Sequence, residues 1–154
     1  MLDSNSVEKY PELHLDNQLC FSLYSLSRLV TQNYTPLLKP LDLTYPQYLV
    51  MLVLWQGLET DQVCMAVSQL TQRLKLDTGT VTPLLKRMEA KGLLNRQRSE
   101  KDERIVMVSL TPKGKALREV ARAIPQTLLC RAEVDVQQVI ELRESLKAML
   151  AALS

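Results

Sequence analysis

Three thiols, Cys20, Cys64 and Cys130, stand in a chain of 154 residues. Cys20 has the company that could give it chemistry. Tyr24, Ser27, Thr31 and Tyr34 follow it at the spacing of one continuous stripe on a helix. Asp16 is a plausible N-cap four residues before it, and the positive end of a helix favours an anionic sulfur. Phenolic hydroxyls can donate hydrogen bonds to a thiolate or to an oxidised sulfur. The competing reading is an inert, buried cysteine acting as a small hydrophobe. Spacing alone leaves both open. There is no C-x-x-C pair and His14 is the single histidine, so neither a zinc site nor any other metal or cofactor is expected.

A second constellation is electrostatic. The net charge is only +2, which on the whole-chain scale argues against a strongly basic nucleic-acid binder. Residues 71–118, however, hold twelve basic and five acidic side chains, a local +7 between segments of −4 and −1. Such a block is the footprint of a polyanion partner or simply a solvated face. The order of elements has to decide.

Residues 15–38 carry Leu15, Leu19, Leu23, Leu26, Val30 and Leu37 at helical spacings, with Pro36 and Pro40 marking the end. A second helix opens at Pro46 and stops near Gly57, with Trp55 in the core; a third covers 65–75. A short turn at 76–78 leads to a fourth, capped by Asp77 and closed at Gly92. Pro83 either starts that helix, with Thr82 as cap, or sits in its second turn and removes one hydrogen bond. The period then changes to two. Residues 94–98 and 104–110 form a hairpin with a charged tip, Asp102 and Arg104 sharing one face of an extended strand. Thr111 and Pro112 cap a helix running towards Cys130, bent near Pro125. A last helix over 135–153 shows Val139, Leu142, Leu146, Met149 and Leu153 as a 3-4-3-4 seam suited to a partner subunit.

Helix, short turn, helix and basic hairpin make a winged helix-turn-helix, mainly α with a small β-hairpin. Thr78, Thr80 and Thr82 open its second helix with small hydroxyl side chains that let the backbone approach a major groove. Lys86 and Arg87 follow within reach of phosphates or guanine edges. Arg98, Lys101 and Arg104 at the hairpin tip can follow the backbone or enter a minor groove, with Asp102 holding the Arg104 fork. A generic α+β domain is the competing fold.

Asp102-Glu103-Arg104, then Val108, Leu110-Thr111 and Gly114, resembles the D-x-R-x-x-x-V-x-L-T-x-x-G wing signature of the MarR family. The resemblance implies a homodimeric repressor of double-stranded operator DNA. It assigns residues 15–45 and 112–154 to dimerisation helices and 46–111 to the winged helix region. Leu15-Asp16-Asn17-Gln18-Leu19-Cys20-Phe21, Leu43-Thr44-Tyr45-Pro46-Gln47-Tyr48-Leu49, Leu76-Asp77-Thr78-Gly79-Thr80 and Leu85-Lys86-Arg87-Met88-Glu89 are further similar to OhrR, the branch that senses organic hydroperoxides. This likeness covers roughly residues 15–130. It implies that Cys20 is the redox sensor, that Tyr24, Tyr34 and Tyr45 hydrogen-bond to it, and that Cys130 is a resolving cysteine partnering Cys20 of the other subunit. Cys64 matches no thiol of the family.

Two other readings stand beside this one: a MarR-type repressor released by a small aromatic ligand without cysteine oxidation, and a thiol peroxidase. Against the peroxidase, no base–nucleophile pair accompanies Cys20 beyond the tyrosines, and the wing would be surplus to catalysis. The composition, 46% apolar and 23% charged, excludes a disordered or low-complexity chain. The longest apolar run, residues 48–55, is far short of the ~20 a membrane span needs, and residues 1–11 resemble no secretory leader, so a cytoplasmic location is expected.

Overall fold

The computed structural model describes residues 9–154. The expectation about a secretory leader falls largely on residues 1–8, outside those described. Two compact units are present, one ending at Asn33 and one running from Tyr34 to Ser154.

Two single 3-10 turns, Pro11–Leu13 and Leu15–Asn17, precede helix α1, Leu19–Leu38. This corrects the expected start. Asp16 lies in the second turn and caps nothing, because the Asn17 side chain donates to the Pro11 carbonyl (2.7 Å) and Gln18 Nε2 to that of Glu12 (2.6 Å), which closes the segment on itself. The first α-type bond runs from Ser22 N–H to the Gln18 carbonyl, so Cys20 is the second residue of the helix. Pro36 is inside the last turn and does not stop α1. The stop comes after a 3-10 turn, Lys39–Leu41, where Asp42 adopts a left-handed backbone.

Helix α2, Tyr45–Gly57, opens with Gln47 reaching back to its N-cap, where Gln47 Oε1 accepts from the Thr44 N–H at 3.1 Å. It is apolar nearly all round and forms the centre of the core with Tyr48, Val50, Met51, Leu54 and Trp55 buried. The third helix, α3, is Val67–Leu74. Met65 and Ala66, expected to begin it, instead belong with Cys64 to strand β1, Cys64–Ala66. Helix α4, Thr78–Ala90, is capped as expected: Asp77 accepts from both the N–H and the hydroxyl of Thr80 at 2.8 Å. Pro83 lies within its second turn.

Strands β2, Leu94–Arg98, and β3, Val106–Leu110, pair antiparallel, and β1 adds to the free side of β3 in the order β1-β3-β2. The sheet therefore has three strands rather than a hairpin's two. The winged helix class stands: a mostly helical chain with a small antiparallel sheet. Helix α5, Pro112–Ala121, starts at the Thr111 cap, whose hydroxyl accepts from Gly114 N–H at 3.0 Å and donates to the Gly92 carbonyl at 2.7 Å. The expected single helix to Cys130 is broken at residues 122–123, and α6, Ile124–Ala132, begins anew with Pro125 in its first turn. That position suits a proline, which has no N–H to donate. Helix α7, Val136–Leu153, follows an Asp135 cap.

No helix among the described residues is long and apolar enough to cross a membrane. Leu142, Met149, Leu150 and Leu153 on α7 are exposed in the single chain.

Candidate DNA interface and redox site

Helix α3, the turn at 75–77 and helix α4 form the helix-turn-helix. Leu70, Val81, Leu85 and Met88 anchor it from below, all essentially solvent-free. Thr78 and Thr80 lie exposed on the first turn of α4, with Lys86 and Arg87 exposed further along. Thr82, half-buried, faces a cleft of about 310 Å³ that it shares with Ser68, Thr78, Arg96, Arg104 and Ile105. The start of α4 and the wing tip thus border one opening, which brings together residues that sequence reasoning had assigned to separate elements.

The wing departs from expectation in one respect. Arg104 is in the turn, and β3 begins only at Val106. Asp102 Oδ1 accepts from the backbone N–H of Arg104 at 3.0 Å, while the guanidinium stands 3.6 Å away with the side chain 94% exposed. The carboxylate shapes the turn and forms a long ion pair with the Arg104 guanidinium, which stays exposed to solvent. Ser99 N–H to the Ile105 carbonyl (2.8 Å) and Ile105 N–H to the Asp102 carbonyl (2.9 Å) close the tip. Arg98 and Lys101 project from it into solvent.

One pair was missed. Glu89, near the end of α4, accepts three bonds from Arg96 on β2: from its N–H (2.9 Å), its Nε (2.9 Å) and its Nη2 (2.7 Å). Hydrogen bonds from the Arg96 side chain and then its backbone hold the Glu89 carboxyl below the usual carboxylate range. The residues are seven apart across a helix end and a turn, so no local spacing rule could have paired them.

The candidate redox residues fall into two groups. Cys20 and Tyr24 are exposed on the N-terminal half of α1, where the Tyr24 ring carries the Arg28 guanidinium 5.6 Å from its centroid. Tyr34 and Tyr45 meet across the 39–44 connection with ring centroids 5.1 Å apart, and Tyr34 also touches Tyr48 at 5.6 Å. Burial raises the Tyr34 phenol above its ordinary value, and Tyr45 adds to this; burial raises Tyr45 as well. At neutral pH these phenols stay protonated, so each keeps an O–H that is able to donate. Cys130, on α6, and Cys64, on β1, are free and exposed. No cluster of three His, Cys, Asp or Glu that could hold a metal occurs among the described residues.

A cavity of about 460 Å³ lies between α2, α5 and α6, lined by Tyr48, Leu52, Trp55, Arg118, Arg122 and Pro125 among others. The Arg118 guanidinium pairs with Glu59 at its edge.

The model of the transcriptional regulator SarA/Rot family matches residues 32–120. The organic hydroperoxide resistance transcriptional regulator of Bacillus subtilis is 46% identical over 145 residues, covering 94% of this chain and 95% of that protein. Among solved structures, reduced AbfR bound to DNA superposes with a TM-score of 0.74 at 33% identity, over 90% of this chain and 94% of that one. Disulfide-formed AbfR superposes with a TM-score of 0.61 at 36% identity, over 88% and 92% of the two chains.

Proposed function

The chain belongs to the SarA/Rot family of transcriptional regulators, winged helix proteins of the MarR type, and on that premise we propose that it is a redox-sensing repressor. The family and these relatives are DNA-binding regulators, not enzymes. In the proposed cycle a cytoplasmic homodimer, built through residues 15–45 and 112–154, binds operator DNA while reduced and leaves it when organic hydroperoxides oxidise Cys20. Thr78, Thr80, Thr82, Lys86 and Arg87 face the major groove. Arg98, Lys101 and Arg104 track the backbone or enter the minor groove, on a turn shaped by Asp102.

The observation that carries this reading is the 46% identity, over nearly the whole chain, to an organic hydroperoxide resistance regulator, together with an exposed Cys20 in the first turn of α1. The Cys20 thiolate attacks one peroxide oxygen and the O–O bond breaks. The alkoxide leaves and takes up a proton as the alcohol, and Cys20 becomes a sulfenic acid. Tyr24, Tyr34 and Tyr45 donate hydrogen bonds to the sulfur before oxidation and rearrange after it. The Cys130 thiol of the partner subunit then attacks the sulfenic sulfur, displaces water and forms a disulfide.

The experiment is an operator gel shift with an organic hydroperoxide, for wild type and Cys20→Ser. Release of wild type alone is expected; equal release of both would overturn the reading. That second outcome would favour release by a small aromatic ligand, for which the 460 Å³ cavity lined by Trp55, Tyr48 and two arginines has a suitable size and chemistry.

A further inference from the structure

Several cations of the basic block are paired within the protein, Lys91 with Asp42 and Arg118 with Glu59 among them, but Arg96 is held in two ways at once. Its side chain is 24% exposed against 94% for Arg104, and both its guanidinium and its backbone N–H are directed at one carboxylate. Arg96 also forms part of the floor of the cleft between the start of α4 and the wing tip. Its charge is committed inside the protein and is not available to a phosphate.

Glu89 in turn sits where a DNA-binding surface would least want an anion, on the helix expected to enter the groove. Its three bonds neutralise it there. They also tie the last turns of α4 to the middle of β2, across the reversal at Gly92. One carboxylate oxygen accepts from two guanidinium nitrogens and the other from the backbone N–H of the same residue, which fixes direction as well as distance. Below this point the base of the wing is seated by the buried Leu94 and Val108, whereas beyond Arg98 the tip is closed by bonds within its own turn, so the Glu89–Arg96 contact is the side-chain tie from α4 to the middle of β2.

We propose that Glu89 is a positioning residue for DNA binding: by clamping Arg96 it sets the wing at a fixed angle to α4, so that helix and wing engage the duplex as one rigid unit. Glu89 touches no DNA itself. Without the clamp, Arg98, Lys101 and Arg104 remain present and charged but no longer meet the phosphates together with α4. The proposal rests on the DNA binding that family membership gives and adds to it a residue with no contact of its own.

The test measures affinity for an operator duplex, selected in vitro on the wild-type homodimer, across a series of salt concentrations. Wild type, Glu89→Gln and Arg96→Lys are compared, with folding checked by circular dichroism. Glu89→Gln is expected to bind about tenfold more weakly at moderate salt. Its slope of log affinity against log salt should be shallower by about one phosphate contact or more. Arg96→Lys keeps the charge and loses the fork, so it is expected to show the same flattening, and it carries the test alone if Glu89→Gln does not fold. A folded variant with the wild-type slope would overturn the clamp, because simple destabilisation does not change the number of counterions released. Absence of salt-dependent binding by wild type would instead remove the DNA reading, and the clamp with it.

Discussion

The indole N–H of Trp55 donates to the carbonyl of Gly114 at 2.9 Å, in the core, linking α2 to the first turn of α5. The same glycine has room for nothing else: a Cβ placed there would lie 2.0 Å from the Leu93 carbonyl oxygen. Trp55→Phe should therefore destabilise the fold by about 1–3 kcal/mol, because the buried indole bond is lost and the smaller ring leaves a cavity. Gly114→Ala should cost as much or more, since backbone must move to relieve the clash. Denaturant midpoints of the two variants against wild type check both.

The buried phenols predict an alkaline limit to stability. Burial pushes Tyr48 up to about 12, with Tyr34 and Tyr45 adding to the shift, while an unfolded tyrosine titrates near 10. Below pH 10 the phenol is neutral in both states and its contribution is complete. Between 10 and 12 only the unfolded chain ionises, so stability falls by about 2–3 kcal/mol as pH rises through that window. Tyr48→Phe should flatten this fall. Unfolding free energies measured from pH 9 to 12, read beside tyrosinate absorbance, would show it, and an unchanged slope in the variant would contradict it.

At the wing, Arg104→Ala removes one exposed cation without touching the bond that Asp102 makes to the Arg104 backbone. Operator affinity should fall, and the salt slope should lose about one contact. Asp102→Ala should also weaken binding, by loosening the turn. Titrations at several salt concentrations distinguish the two, because that variant keeps every wing cation.

For the thiols, hydroperoxide treatment should give a covalent dimer on non-reducing gels that disappears with reductant and is absent from both Cys20→Ser and Cys130→Ser. Cys64→Ser should behave as wild type. A dimer persisting in Cys130→Ser would show that another thiol resolves the sulfenic acid.

How far the chain could be read from its sequence depended on range. Asp77 and Thr111 cap helices through bonds to residues three positions on, and both caps stand where local rules put them. The alternation of Val106, Val108 and Leu110 likewise carried its own strand. Strand β1 was invisible because three residues beside a helix start have no period of their own; the exposed edge of β3 makes Met65 a strand residue. Asp16 misled for a related reason. An N-cap needs the following turn to be α-helical, and side-chain bonds from Asn17 and Gln18 to Pro11 and Glu12 fold that turn back first. Tyr34 against Tyr45 and Glu89 against Arg96 are pairs made by chain reversals, and no spacing within one element encodes them.

Pro83 has a mechanical consequence. Its ring leaves the Gly79 carbonyl without the N–H four residues on, one turn inside α4. Upstream of that gap the helix is held by the Asp77 cap and by Val81, which is buried; downstream Leu85 and Met88 are locked in the core. The first turn of α4, bearing Thr78 and Thr80, is thus the part of the helix that lacks its full set of backbone bonds. In the proposed DNA complex the backbone between the Asp77 cap and Val81 is where α4 adjusts at least cost, so tolerance for variation among operators would reside at one missing hydrogen bond.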